Sequence, residues 1–170
     1  AGPAGPTRGI IVTDADYAAC LFHSRPLTAP IVDQALTVLD LPRGSRGLDV
    51  GCGIGLDLPA LASAVSPGGR VIGLDLRPGF AAQACCQDAA SGTGAGLAAV
   101  CGDARRLPFV EDAFDWAWSA DCVGYAPLAP GPLLAEMARV VRPGGTVVIL
   151  AYSSQQLLPG YPLLEARLNA

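Results

Sequence analysis

The sequence contains no lysine and one histidine, and it has no long run of apolar residues. All eleven basic residues are arginine, which we interpret as a bias of genomic composition. Charged residues and prolines interrupt every apolar stretch before it reaches the roughly eighteen residues that a membrane-spanning helix needs. A membrane partner is therefore not expected.

Cysteine pairs that bind metals are also missing. The six cysteines include no C-x-x-C pair, and the sequence has one histidine that could join them as a ligand, so no metal site is expected. Adjacent Cys85 and Cys86 form either a strained redox pair or small apolar filler. We favour filler, which is typical of the reducing cytoplasm and predicts a cytoplasmic protein.

The chain has too few basic residues, relative to its acids, for a protein that binds a nucleic-acid backbone. The net charge is -4 and the isoelectric point is about 4.7, so no nucleic-acid partner is expected. Hydrophobic residues make up 51% of the chain and charged residues 15%, which predicts a globular domain with a real core.

A glycine turn follows a short apolar strand at Leu48–Gly55. Gly51, Gly53 and Gly55 alternate, which indicates a strand-to-helix turn that lies against a ligand. The dinucleotide fingerprint requires a sixth-position glycine, where this chain has Leu56, so a nicotinamide cofactor is excluded. A tight turn in another kind of parallel-sheet protein remains an alternative.

Strand and helix patterns alternate along the rest of the chain. Strands are predicted at 47–50, 70–75, 97–101, 113–119 and 146–151, and helices at 14–22, 28–39, 56–65, 78–90 and 133–141, with a tight turn at 142–145. The alternation predicts an α/β fold, a doubly wound and mostly parallel sheet with helices on both faces. Trp116 and Trp118 are expected to share one sheet face. Ligands of such sheets bind beyond the carboxyl ends of the strands.

Four segments carry a resemblance to a known family. They are LDVGCGIG at 48–55, VIGLD at 71–75, GDARRLPFVEDAFDWAWS at 102–119 and RVVRPGGTVVIL at 139–150. Together they resemble the class I, Rossmann-like methyltransferases that use S-adenosylmethionine, and in particular the subgroup that acts on small molecules. The resemblance implies S-adenosyl-L-methionine as cofactor and a small-molecule acceptor whose reacting atom is O, N or C.

The resemblance also implies which residues contact the cofactor. Asp75 is expected to accept hydrogen bonds from the ribose hydroxyls, and Asp103 from the adenine amino group, beside the backbone N–H of Ala104. Taken singly, each acid is equally well explained as a cap of the loop or helix that follows. The expected contacts are Asp49, Gly51, Cys52, Gly53, Asp75, Leu76, Asp103, Ala104 and Ser119.

Methyl transfer is an in-line displacement, so alignment of donor and acceptor supplies much of the acceleration. A base is needed only when the acceptor must lose a proton. The catalytic candidates are Asp121 just after the fourth strand, His23 and Tyr125, with Tyr17 as a further candidate in the N-terminal segment. A lone histidine is more often structural, and Asp121 is favoured by its location.

The resemblance divides the chain into three parts: a cap over residues 1–45, a cofactor-binding domain over 46–152, and a loop with a short helix over 153–170. The family usually adds a sixth and a seventh strand, which residues 153–170 do not offer. We therefore expect either a fragment of a longer protein, or a homodimer or partner that covers the open sheet edge.

Other functions are weighed against the same residues. A non-catalytic cofactor-binding subunit is the main alternative, and an aminopropyltransferase is disfavoured because no acidic polyamine motif follows the fourth strand. The sequence Ser119-Ala120-Asp121-Cys122 replaces the acid or asparagine, two prolines and aromatic of the DNA amino-methyltransferases. No Pro-Cys pair supports a cytosine methylase.

Overall fold

The computed structural model describes residues 13–86, 96–123 and 129–151. Its helices are α1 (Asp14–Leu39), α2 (Leu58–Val65), α3 (Pro78–Cys85) and α4 (Pro130–Val140). Its strands are β1 (Arg46–Val50), β2 (Arg70–Asp75), β3 (Gly96–Cys101), β4 (Phe114–Ala120) and β5 (Val141–Leu150). Among the described helices, none is both long and apolar enough to cross a membrane.

The strands form one parallel sheet in the order β3-β2-β1-β4-β5. This arrangement confirms the predicted doubly wound α/β fold. The chain moves outward from β1 to β3 and then returns to the other side of β1 to form β4. The strand order reverses there, and a crevice is expected at the carboxyl ends of β1 and β4.

Two apolar layers pack on the two faces of the sheet. The first joins α1, α2 and α3 to the sheet and contains Trp116 and Trp118, which confirms that both tryptophans share one face. Nε1 of Trp116 donates a hydrogen bond to Oγ of Ser45 at 3.0 Å, so its polar atom is satisfied inside the core. The second layer joins α4 to the opposite face through Leu133, Met137 and Val140.

Helix α1 is continuous where the sequence predicts two helices. It contains Pro26 and Pro30, and its N-cap is Thr13. Thr13 and Asp16 form a reciprocal capping box, which fixes the start of the helix. Oγ of Ser24 donates to the carbonyl of Leu21, and Oγ1 of Thr28 donates to the carbonyl of Arg25, each three residues earlier in the helix.

Strand β5 begins earlier than the sequence predicts. Val141 pairs with Phe114 and Thr146 with Trp116, so four residues of β5 lie opposite Asp115 alone. The predicted tight turn at 142–145 is this irregularity within the strand, and Gly144 supplies its left-handed backbone with φ +79°. Nε of Arg142 donates to Oδ1 of Asp115 at 2.6 Å across it.

Helix α4 holds the segment between β3 and β4 in place. Glu136 accepts a hydrogen bond from the backbone N–H of Leu107 at 2.7 Å. Arg139 donates to the carbonyls of Phe109 and Leu107 at 2.9 and 3.1 Å and also pairs with Glu136. The Leu-Pro-Phe sequence at 107–109 is therefore anchored by two charged side chains of α4.

Two sequence predictions fall outside the described residues. The loop and short helix expected over residues 153–170 lie there, and so does the end of the helix predicted to reach residue 90.

Candidate functional site

A cavity of about 380 Å³ lies at the carboxyl ends of β1, β2 and β4, where the strand order reverses. Its volume is within the range of small-molecule sites, about 300 to 1,000 Å³. Helix α1 forms one wall, and the glycine turn and the segments after β2 and β4 form the others. The lining residues include Tyr17, Leu21, Arg25, Asp49, Gly51, Cys52, Gly53, Asp57, Asp75, Leu76, Arg77, Asp121 and Cys122.

The glycine turn is left-handed at all three glycines, with φ of +80° at Gly51, +55° at Gly53 and +81° at Gly55. The backbone N–H groups of Gly51 and Cys52 both donate to the carbonyl of Leu74, at 2.8 and 3.0 Å. A Cβ on Gly51 would overlap Cβ and Sγ of Cys122. Position 51 therefore requires glycine for its backbone angle and for its closeness to Cys122.

Asp75 is held by backbone donors on both oxygens. Oδ2 accepts from the N–H of Gly53 at 3.0 Å, and Oδ1 accepts from the N–H of Arg77 at 2.9 Å. The carboxylate is therefore oriented before any ligand arrives. Since each carboxylate oxygen has about two acceptor positions, both oxygens keep capacity for ligand hydroxyls.

The cavity is rich in acids. Asp49 is buried, and its pKa is raised well above its usual range, first by that burial and then by repulsion from Asp57 and Asp75. The pKa of Asp57 is also raised, mainly by burial, although Arg25 opposes the shift from 2.7 Å away. Such surroundings favour a cationic group on the ligand.

Two thiols line the cavity without the features of a nucleophile. Burial, together with the charges of Asp49 and Asp75, raises the pKa of Cys52 and of Cys122. Since the thiolate is the reactive form, neither thiol is activated in this site. The arrangement offers positioning and charge rather than covalent catalysis.

The structure brings most of the predicted site residues together. The cavity wall contains Asp49, Gly51, Cys52, Gly53, Asp75, Leu76 and Asp121. The backbone of Asp121 is left-handed, with φ +52°, which aspartate tolerates better than most residues. Its N–H donates to the carbonyl of Leu150 at 2.9 Å, which ties the position after β4 to the end of β5.

Asp103, Ala104, Ser119 and His23 are not part of this wall. Nη2 of Arg105 lies 2.6 Å from Oδ2 of Asp103, and the hydrogen bonds from Arg105 lower the pKa of Asp103. Ser119 is buried, and its Oγ accepts from the N–H of Val123 at 3.3 Å. His23 is exposed on α1, with Nδ1 2.6 Å from the carbonyl of Ala19. Tyr125 lies outside the described residues.

Sequence reasoning missed two arginines of the wall. Nη1 of Arg25 on α1 reaches Oδ1 of Asp57 just after the glycine turn. The guanidinium of Arg77 lies 4.6 Å from the ring centre of Tyr17 and 5.0 Å from that of Phe80. Arg77 could have been predicted from the sequence, because it lies two residues after Asp75. Arg25 lies in none of the recognised motifs.

The two aromatic rings beside Arg77 stack at 5.9 Å. Nε of Arg77 also pairs with Asp14 at 3.3 Å. These contacts attach the start of α1 to the start of α3 and so hold this wall of the cavity in place.

Comparison with known proteins agrees with this geometry. The model of a methyltransferase domain family matches residues 48–149, which is more than half of the chain. An uncharacterized 37.1 kDa protein of transposon TN4556 from Streptomyces fradiae is 41% identical over 133 residues, 76% of this chain and 36% of that protein. Demethylmenaquinone methyltransferase of Bacillus licheniformis is 33% identical over 129 residues, 74% of this chain and 52% of that enzyme.

A solved structure shares the fold. It is a candidate S-adenosyl-L-methionine-dependent methyltransferase from Methanococcus maripaludis, with a TM-score of 0.70 and 18% identity, and the match covers 99% of this chain and 76% of that one. At this identity the likeness establishes the fold alone. The chain spans between about a third and about half the length of the two curated relatives named above.

The resemblance stated from the sequence is thus confirmed by the family match and by the fold. S-adenosylmethionine is the cofactor that goes with them, as predicted. Its fit is supported by the left-handed glycine turn and by the oriented carboxylate of Asp75. The chain belongs to the methyltransferase domain family.

Proposed function

We propose that the protein transfers the methyl group of S-adenosylmethionine to a small molecule. One observation carries the proposal: the Asp75 carboxylate, with each oxygen fixed by a backbone N–H, stands on the wall of the cavity beside the glycine turn. A paired acceptor in this position suits the two hydroxyls of a ribose. The neighbouring acids suit a ligand that carries a sulfonium and an ammonium group.

We assign the following roles to the residues of the wall. Asp75 accepts from the ribose, and the backbone at Gly51, Cys52 and Gly53 lies against the amino-acid end of the cofactor. Asp49 orders the turn from beneath. When bound, the cofactor supplies an electrophilic methyl group, and the wall orients it and excludes water. Leu76, Asp103, Ala104 and Ser119 remain predicted contacts of the adenosine part.

Catalysis in this proposal depends on alignment, because an in-line displacement needs no covalent enzyme intermediate. Asp121 is our preferred base for an acceptor that must lose a proton, since it is on the cavity wall. His23 and Tyr125 remain predictions for the same role. The raised pKa values of Cys52 and Cys122 oppose a thiolate in that role.

The acceptor is proposed to be a small molecule rather than a nucleic acid. The net charge of -4 opposes binding to a phosphate backbone. The named relative from Bacillus licheniformis acts, by its name, on demethylmenaquinone, and an apolar quinone is therefore the first acceptor class to test. Tyr17 and Leu21, both on α1, make part of the cavity wall apolar.

A methyl-transfer screen tests the proposal. The chain is incubated with S-adenosylmethionine labelled in its methyl group and with quinone, phenol, amine and enol acceptors, and the label is followed by mass spectrometry. We expect transfer to one acceptor class, and reduced transfer with Asp75→Ala when the cofactor is below saturation, while Glu111→Gln, a change of an exposed acid away from the cavity, keeps wild-type activity. Cofactor binding without transfer to any acceptor would favour the non-catalytic subunit.

We further propose that a second copy of the chain, or another protein, covers strand β5. In the described part of the chain β5 pairs on one side only, with β4, and Val147 and Ile149 each remain 38% exposed. Light scattering after size exclusion tests this: a dimer that Val147→Glu converts to a monomer supports self-association. A monomeric wild-type chain would oppose self-association and leave another protein as the partner.

Two further sequence predictions are retained as proposals. Residues 1–45 act as a cap, residues 46–152 bind the cofactor, and residues 153–170 follow them. A cytoplasmic location is supported by the six free thiols.

A further inference from the structure

Arg25 bridges α1 to the end of the glycine turn. Its Nη1 lies 2.7 Å from Oδ1 of Asp57, the residue that directly precedes α2. The two side chains keep only 22% and 19% of their exposure, and both line the cavity. The pair therefore lies where a ligand would contact it.

The contact with Asp57 does not satisfy the buried nitrogen. It is an ion pair by distance, but Nη1 of Arg25 is buried and has no aligned hydrogen-bond acceptor among the described residues. A guanidinium carries five N–H donors and no acceptor. A buried donor without an acceptor is unfavourable, so a ligand oxygen that reached Nη1 would be stabilised there.

The other charges of the wall make Arg25 the suitable partner for an anion. Arg77 is engaged by the rings of Tyr17 and Phe80 and by Asp14. The acids of the cavity wall that repel a ligand carboxylate and attract ligand cations are Asp57, Asp75 and Asp121. The side of the cavity beside Arg25 is therefore the favourable place for the carboxylate of a ligand that carries both charges.

Helix α1 also sets the direction of such a ligand. Tyr17 contacts Arg77 just beyond Asp75, and Arg25 lies eight residues further along the helix, about 12 Å at 1.5 Å per residue. The first turn of α1 thus lies beside the acid that suits a ribose. The middle of the helix, at Arg25, lies beside Asp57, where the glycine turn runs into α2.

We propose that Arg25 binds the α-carboxylate at the amino-acid end of S-adenosylmethionine and of its product S-adenosylhomocysteine. The assignment rests on the proposed function and adds a residue that lies outside the four segments of the family resemblance. The planar guanidinium fork matches a carboxylate, while the surrounding acids attract the ammonium and sulfonium groups. Ligand binding thereby connects α1 to the glycine turn.

Calorimetric titration with two ligands tests the assignment. S-adenosylhomocysteine carries the carboxylate, and 5'-methylthioadenosine keeps the adenosine and the sulfur but lacks the amino-acid end. We expect Arg25→Gln to weaken S-adenosylhomocysteine binding about 10- to 150-fold, as for a charged hydrogen bond, and to leave 5'-methylthioadenosine binding unchanged. Arg43→Gln, at an exposed arginine outside the cavity, is the matched control and should bind both ligands like wild type.

The binding of the two ligands separates the role of Arg25 from the proposed function. Equal losses for both ligands, or no loss for either, would overturn the role of Arg25 while wild-type binding still supports the proposed function. A wild-type chain that binds neither ligand would overturn both proposals. If Arg25→Gln loses its fold by circular dichroism, Arg25→Lys replaces it, and a loss confined to S-adenosylhomocysteine is again the expected result.

Discussion

The backbone N–H of Gly53 donates to Oδ2 of Asp75 at 3.0 Å. This hydrogen bond joins the turn after β1 to the acid that ends β2, and so connects two neighbouring strands at their carboxyl ends. Glycine makes the contact possible, because φ at position 53 is +55° and an added Cβ would approach Cδ1 of Leu21 to 3.1 Å. The turn and the acid are thus one structural unit of the site.

Removing the Asp75 carboxylate should weaken cofactor binding. Asp75→Ala deletes an acceptor that two backbone N–H groups hold in place, and we expect a loss of about 1.5 to 3 kcal/mol, as for hydrogen bonds to a charged group. Calorimetry with S-adenosylmethionine measures it. Glu111→Ala is the control at an exposed acid, and wild-type affinity in Asp75→Ala would refute the ribose assignment.

Adding one methyl group at Gly51 should destabilise the fold. Gly51→Ala places a Cβ on Cys122 and forces an L-residue to φ +80°, and a strained backbone of this kind costs about 1 to 3 kcal/mol before the overlap is counted. Thermal unfolding measures the change. Gly79→Ala is the matched control, because a Cβ there meets nothing within 4 Å; equal melting temperatures for the two variants would contradict the account.

Buried Asp49 should make stability depend on pH. Its pKa is raised in the fold by burial, so the folded chain keeps a proton that the unfolded chain has lost. Stability therefore falls as pH rises from the unfolded pKa, about 3.9, towards the folded value. Asp49→Asn should flatten this fall and raise stability at neutral pH, as measured by melting temperatures between pH 4 and pH 8, about the range in which most proteins are stable.

The result that would contradict this prediction is an unchanged pH profile in Asp49→Asn. A variant whose melting temperature follows the wild-type pH profile would show that the carboxyl titrates normally in the fold. Asp57, whose pKa is also raised, accounts for the part of the slope that should persist in Asp49→Asn.

Asp121 should matter for turnover and not for binding. Asparagine also tolerates the left-handed backbone at φ +52°, so Asp121→Asn removes the charge and keeps the conformation. With an acceptor that must lose a proton, we expect turnover to fall by about 10² to 10⁴, as for loss of a general base. Single-turnover kinetics with the acceptor found by the screen measures this, and unchanged turnover would exclude Asp121 as the base.

Local patterns were sufficient for the centre of the fold. The strand predicted from Arg70 to Asp75 has the same bounds as β2. A strand buried on both faces is apolar along its length, so the charged residues Arg70 and Asp75 indicated where it begins and ends. The glycines at 51, 53 and 55 predicted a turn against a ligand, and all three are left-handed. The acid that ends β2 followed from topology.

Contacts between distant segments were beyond the sequence. Arg25 lies between two stretches that were predicted as separate helices, since prolines normally end a helix and the packing of α1 on the sheet was not visible. Its pairing with Asp57 joins residues far apart in the chain. The ion pair of Asp103 is of a different kind, because its partner Arg105 lies only two residues away in the chain. The sequence therefore contained the information that Arg105 would compete with a ligand for the Asp103 carboxylate.

The most direct test of the account is calorimetric titration of the purified chain with S-adenosylmethionine and, separately, with NAD. The account predicts binding of S-adenosylmethionine in the micromolar range, about -8 kcal/mol, and no binding of NAD, since the glycine turn lacks a glycine at position 56. Binding of NAD, or no binding of S-adenosylmethionine, would contradict it.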